Sequence, residues 1–241
     1  MSDHDNTPVS PEPSAQSTSE HPETTEHPAT EATAESWLSK AAFLISSPTL
    51  KQCPSDTGRE VAFAGRSNAG KSSCINALTR QKQLARASKT PGRTQMINFF
   101  DMGNPEKRLV DLPGYGYAQV PEAMKIKWQK ELEYYLQRRK SLCGLVLLMD
   151  SRRPLTDFDT QMLTWANAAS LPCLVVLTKA DKFNREPARK ILKETQRRID
   201  SLGLRADVQL FSATKHTGLD ELREKIAILL DQPLVTSKVV I

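Results

Sequence analysis

Gly65-Arg66-Ser67-Asn68-Ala69-Gly70-Lys71-Ser72 is the stretch on which the fold turns. It fits G-x-x-x-x-G-K-[ST] without a gap. An apolar run, Glu60–Ala64 (EVAFA), precedes it, and a helical pattern from Gly70 to Leu78 follows. A strand that turns into a helix through this loop is the context the motif requires. The glycines let the backbone curl so that successive N–H groups face phosphate oxygens, and the helix N-terminus adds partial positive charge there. In such a loop Lys71 reaches the terminal phosphates and the Ser72 hydroxyl is placed to ligate Mg²⁺.

On the C-terminal side of this loop, short apolar strands alternate with amphipathic helices. Thr94–Phe100 and Lys107–Asp111 read as a strand pair around the Gly103–Asn104 turn. Met124, Trp128, Leu132 and Tyr135 recur at helical spacing, which marks Trp128 and Tyr135 as core residues. Leu145–Met149, Leu174–Leu177 and Val208–Phe211 read as strands. Phe158–Ala169, Glu186–Ser201 and Gly218–Leu230 read as helices. On the N-terminal side, Trp37, Leu38, Ala41, Ala42 and Phe43 suggest a short helix or an anchoring segment. The alternation predicts a three-layer α/β P-loop domain with a mostly parallel six-stranded sheet and one antiparallel strand.

Composition sets the limits. Residues 1–36 hold no Lys or Arg, eight of the 28 acids and five of the 15 prolines, so their formal charge is −8. All 33 basic residues lie in 37–241, which carries +13. A segment so poor in apolar residues cannot offset its ordering entropy, which predicts a disordered acidic tail over 1–36 and one domain over 37–241. His4, His21 and His27 fall in that tail and receive no role. The apolar runs Cys143–Met149 and Leu171–Leu177 are far short of the ~20 residues that span a bilayer. No signal peptide is visible. Cys53, Cys74, Cys143 and Cys173 lack metal-ligand or disulfide-framework spacing. The expectation is therefore a cytoplasmic protein with neither a membrane span nor an export signal, and a monomer by default.

Three further segments carry chemistry. In Thr178-Lys179-Ala180-Asp181, after the Leu174–Leu177 strand, the Asp181 carboxylate offers two acceptors. Guanine presents two adjacent donors, N1–H and the 2-amino group, whereas adenine presents a donor beside an acceptor. Lys179 can lie over the base with its stem, and Phe211-Ser212-Ala213, after the next strand, can bring a backbone N–H to guanine O6. Asp111-Leu112-Pro113-Gly114 follows a strand 39 residues after Ser72. An acid there can hold Mg²⁺ through water, and the Gly114 N–H can reach a γ-phosphate. Gly92-Arg93-Thr94-Gln95 lies between, where a threonine can add a second hydroxyl to Mg²⁺ as part of an order–disorder switch. On residues alone Thr90 competes with Thr94 for that role.

Taken together, residues 65–72, 92–96 (Gly92 to Met96), 111–114, 178–181 and 211–213 resemble the EngB (YihA/YsxC) family of bacterial GTPases, of the TrmE-Era-EngA-EngB-Septin-like class. The wording is specific: EVAFAGRSNAGKSS, KTPGRTQMINFF, LVDLPGYGYA and LTKADK run across nearly all of the body. The resemblance implies a GTPase that binds GTP and GDP, with Lys71, Thr94 and Gly114 at the chemistry. Ser72 and Thr94 become the Mg²⁺ ligands, and Thr178, Lys179, Asp181 and the Ser212–Ala213 backbone the guanine contacts. It also implies a role in assembling the large ribosomal subunit through contacts to rRNA, and in normal cell division and septation.

Two departures from the wider GTPase pattern matter. Thr178 replaces the usual asparagine, a feature that EngB members share. Tyr115 stands where many GTPases carry a water-orienting glutamine, so intrinsic hydrolysis should be slow. In some related GTPases an asparagine at the position of Asn68 helps hold K⁺ beside the phosphates; the alternative is a loop-shaping residue. Arg66 is either a phosphate-loop contact or a surface residue. Basic groupings at Lys125/Lys127/Lys130, Arg138-Arg139-Lys140, Arg152-Arg153, Arg185/Arg189/Lys190/Lys193 and Arg197-Arg198 favour a polyanionic partner. Two other readings compete: a P-loop kinase of a small metabolite, and a GTP-regulated septation adaptor with little turnover.

Overall fold

A computed structural model describes residues 37–86, 96–116 and 121–231, apart from the side chain of Glu122. The acidic tail and the Gly92–Gln95 segment lie outside the described residues.

The strands are β1 (Ala42–Ser47), β2 (Arg59–Gly65), β3 (Ile97–Asp101), β4 (Lys107–Asp111), β5 (Leu142–Asp150), β6 (Cys173–Thr178) and β7 (Asp207–Leu210). The helices are α1 (Lys71–Leu78), α2 (Glu122–Arg138), α3 (Asp157–Ala168), α4 (Arg185–Ser201) and α5 (Leu219–Asp231). They form one seven-stranded sheet in the order β1-β3-β4-β2-β5-β6-β7. Strand β3 is antiparallel to both its neighbours, β1 and β4, and every other pairing is parallel.

The sheet has one strand more than the sequence predicts, and the extra one is β1. Trp37–Lys40 forms only a helical turn, closed by Lys40 N–H donating to Trp37 O at 3.1 Å. Leu38 and Ala41 then anchor in the core, and the aromatic and β-branched residues that follow extend along β3. As an edge strand β1 leaves Phe43, Leu44 and Ile45 exposed, so it shows no clean apolar/polar alternation to read.

The central strands divide their side chains between two cores, as the pleat demands. Ala62, Ala64, Leu145 and Leu147 face the side covered by α2 and α3. Val61, Phe63, Val146 and Leu148 face the side covered by α1 and α5. The four cysteines are free; Cys74, Cys143 and Cys173 are buried as small hydrophobes, and burial pushes the Cys173 thiol up to about 12. None of the described helices is long and apolar enough to cross a membrane.

A polar knot interrupts the apolar interior at one end of β2. Glu60, at the start of β2, is fully buried. It accepts from Arg108 Nε at 2.9 Å, from both Arg139 Nε (2.9 Å) and Arg139 Nη2 (2.7 Å), and from the Tyr135 hydroxyl at 3.2 Å. Arg139 is thus committed inward rather than joining a surface group with Arg138 and Lys140.

Candidate functional site

In a parallel sheet, ligands bind beyond the carboxyl ends of the strands. The candidate residues gather at that edge: Gly65 ends β2, Asp111 ends β4, Asp150 ends β5, Thr178 ends β6 and Phe211 follows β7. The loop after β2 needs its glycines. A Cβ on Gly65 would lie 2.8 Å from the Leu148 carbonyl oxygen. Gly70 has φ +95° just before α1, which side chains adopt only at a cost. Asn68, also left-handed (φ 64°) and exposed, shapes the same curl.

Two side chains from the β6 turn strap this loop down. The Thr178 hydroxyl lies 2.6 Å from Ala69 O and 3.1 Å from Met149 O, and its one proton serves the nearer. Lys179, in a left-handed conformation (φ 59°), donates to Asn68 O at 2.7 Å and to the Asp150 carboxylate at 2.8 Å. Thr178 in place of asparagine therefore keeps a hydrogen bond to the loop carbonyl. Asp181 follows in a 3₁₀ turn (Ala180–Lys182), and the Ser212 hydroxyl donates to its Oδ1 at 2.7 Å. That hydrogen bond holds the Asp181 carboxyl below its ordinary range, so it stays an ionised double acceptor. Ala180 N–H donates to Phe211 O at 3.1 Å, which joins the two loops that the sequence assigns to one base.

On the phosphate side, the Lys71 ammonium pairs with Asp111, which is 4% exposed. The loop after Asp111 zips onto the phosphate loop: Ser67 N–H donates to Tyr115 O at 2.8 Å and Tyr115 N–H to Gly65 O at 3.4 Å. Tyr115 itself turns into the core. Its hydroxyl donates to Asp159 Oδ1 at 2.5 Å, and its ring packs 4.4 Å from Phe158 and 6.3 Å from Trp128. Asp159 in turn accepts from the Thr156 hydroxyl (2.7 Å) and N–H (2.8 Å) at the start of α3. The phenol is thus buried and committed to Asp159. Trp128 and Tyr135 are core residues, as their spacing predicts. Arg66 is half-buried against Gly116, and it lines a cavity of about 290 Å³ with Ser67, Asn68, Asp150 and Arg153.

The structure therefore brings together the segments 65–72, 111–114, 178–181 and 211–213. Thr94, Thr90 and the residues from Gly92 to Gln95 lie outside the described residues, and Met96 leads directly into β3. The residue that motif reading missed is Asp150. Its only signal is an acid closing an apolar strand, and its partner Lys179 stands 29 residues further on.

Comparison with known proteins agrees with this geometry. Residues 60–179 match the family described as 50S ribosome-binding GTPase. The chain is 62% identical over 183 residues to a probable GTP-binding protein EngB of Acinetobacter baumannii, covering 76% of this chain and 87% of that one. It is 56% identical over 189 residues to that of Pasteurella multocida, covering 78% and 91%. A crystal structure of a probable GTP-binding protein engB superposes with a TM-score of 0.55 at 24% identity, over 71% of this chain and 98% of that one. The selenocysteine-specific elongation factor EF-Sec of a bacterium shares the fold at 21% identity, with a TM-score of 0.53 over 73% of this chain and 29% of that one. The chain belongs to the EngB family of GTP-binding proteins.

Proposed function

We propose that this protein is a Mg²⁺-dependent GTPase switch that acts in assembly of the large ribosomal subunit, and through it in cell division and septation. The observation that carries the reading is the double strap of Thr178 and Lys179 onto the phosphate loop beside the Asp181–Ser212 pair. It makes one continuous site for a guanine base and its phosphates. Membership in a GTP-binding family removes the metabolite-kinase reading. The ribosomal partner rests on the family description and on the basic surface, where Lys127, Lys130, Arg152, Arg153, Arg189, Lys190, Lys193 and Arg197 are all exposed. We read the protein as a cytoplasmic monomer.

The chemistry proposed is attack of water on the γ-phosphate. Lys71 exchanges Asp111 for phosphate oxygens, and backbone N–H groups of the loop and of Gly114 receive the developing charge. The donors present suit Mg²⁺. Ser72 would supply a hydroxyl, Asp111 a carboxylate through water, and Thr94 a second hydroxyl. These are hard oxygens, too few for an all-protein cage but sufficient beside substrate phosphates. Bound there, the ion would supply charge neutralisation for the terminal phosphates. Because Tyr115 is buried, hydrolysis lacks a water-orienting side chain at that position and is slow without a partner or K⁺.

Two measurements test this reading. Sedimentation with large ribosomal subunits through a sucrose gradient is expected with a non-hydrolysable GTP analogue and not with GDP. Absence of co-sedimentation in both states would point instead to a non-ribosomal adaptor role in septation. Phosphate release should rise at least fivefold when NaCl is replaced by KCl, through Asn68. Equal rates in the two salts would leave Asn68 as a loop-shaping residue only.

A further inference from the structure

Asp150 lies outside every nucleotide motif, yet the side chains of two residues converge on it at the edge of the site. It closes β5 in register with Thr178 of β6, so its carboxylate emerges beside the base-binding turn. One oxygen, Oδ2, lies 2.8 Å from the Lys179 ammonium. Arg152 clamps the same carboxylate from the outer side, with Nε 2.9 Å from Oδ1, Nη2 2.6 Å from Oδ2, and its backbone N–H 3.0 Å from Oδ1. The guanidinium fork fixes the plane of the carboxylate, and the hydrogen bonds from Arg152 and Lys179 hold Asp150 well below the usual carboxylate range.

Lys179 is a long, flexible cation in a strained left-handed backbone, with Asn68 O as its other partner at 2.7 Å. Left with that one carbonyl, its stem would sample several rotamers and lose entropy on binding. With Asp150 behind it, the ammonium is held between the end of β5 and the phosphate loop in advance of the base.

We infer that Asp150, oriented by Arg152, is a positioning residue for guanine-nucleotide retention: it pre-sets Lys179 as the platform on which the base lies and ties that platform to the phosphate loop. This rests on the guanine-nucleotide reading of the same site. The role is one of preorganisation, so it acts on residence time rather than on recognition of the base edge.

The test is release of a fluorescent GDP analogue, followed by stopped flow, for wild type, Asp150→Asn, Lys179→Met and the double variant. Asp150→Asn keeps shape and removes charge, and release is expected about tenfold faster. The double variant should release no faster than Lys179→Met alone, a non-additivity that general loosening of the fold would not produce. Wild-type release by Asp150→Asn, or additive effects, overturns the proposal. If Asp150→Asn does not fold, Arg152→Gln answers instead: its exposed side chain is safe to shorten, and release should quicken about threefold, with an unchanged rate again overturning it. A wild type that fails to hold GDP at all sinks the guanine reading itself, which separates the two failures.

Discussion

Asp181→Asn is expected to lose GDP affinity by roughly 10²–10³-fold and to gain xanthine nucleotides. The carboxylate is half-buried, ionised and fixed by Ser212 at 2.7 Å, so on the proposed guanine reading it would offer N1–H and the 2-amino group two acceptors. Hydrogen bonds to a charged group are worth about 1.5–3 kcal/mol each. The amide keeps one acceptor and turns the other into a donor that opposes the guanine amino group. Loss of one bond and repulsion at the second cost about 3–4 kcal/mol, which is the stated fold-change at 1.4 kcal/mol per decade. Xanthine carries a carbonyl where guanine carries the amine, so the same amide donor finds a partner there. Competition of GDP and XDP against a fluorescent nucleotide reads the exchange directly. GDP affinity within threefold of wild type would show that the base is read elsewhere. The fold should be untouched, because Ser212 can donate to the amide oxygen as it does to the carboxylate.

The residues behind that prediction are legible in the sequence alone, and the reason is physical. Loops at the carboxyl ends of parallel strands carry their chemistry in short contiguous runs, so Gly65–Ser72 and Thr178–Asp181 announce themselves. The strands between them are buried on both faces and read as plain apolar runs. What could not be read is whatever depends on two distant segments meeting. The straps from Thr178 to Ala69 and from Lys179 to Asn68 span 109 and 111 residues. The burial of Tyr115 depends on Asp159, 44 residues away on helix α3, and motif reading shows only that it is not a glutamine. β1 escaped for a different reason. An edge strand with exposed Phe43, Leu44 and Ile45 lacks the period of two that would identify it. Glu60 escaped because one charge inside EVAFA looks like a surface interruption until its partners are known.

Those partners make Glu60 the place where a single change should cost most stability. Glu60→Ala is expected to destabilise the fold by about 3–5 kcal/mol, because it strands buried charge rather than merely deleting a contact. Arg108 and Arg139 converge on the carboxylate with side chains 7% and 9% exposed, too enclosed for water to replace it fully. Arg108 also donates to the Thr57 and Pro105 carbonyls, so it cannot swing out without losing those bonds. The Tyr135 hydroxyl, likewise buried, loses its acceptor as well. For a domain of this size the loss corresponds to a melting temperature lower by about 10 °C. The network sits at the opposite end of β2 from Gly65, about 17 Å of strand away. At a temperature where the variant is folded, GDP affinity should therefore match wild type. A melting shift of less than about 3 °C, on the same scaling, would mean that the two arginines relax into solvent. A shift accompanied by lost GDP binding in the folded state would mean that the two ends of β2 are coupled, and that the knot at Glu60 helps to set the phosphate loop.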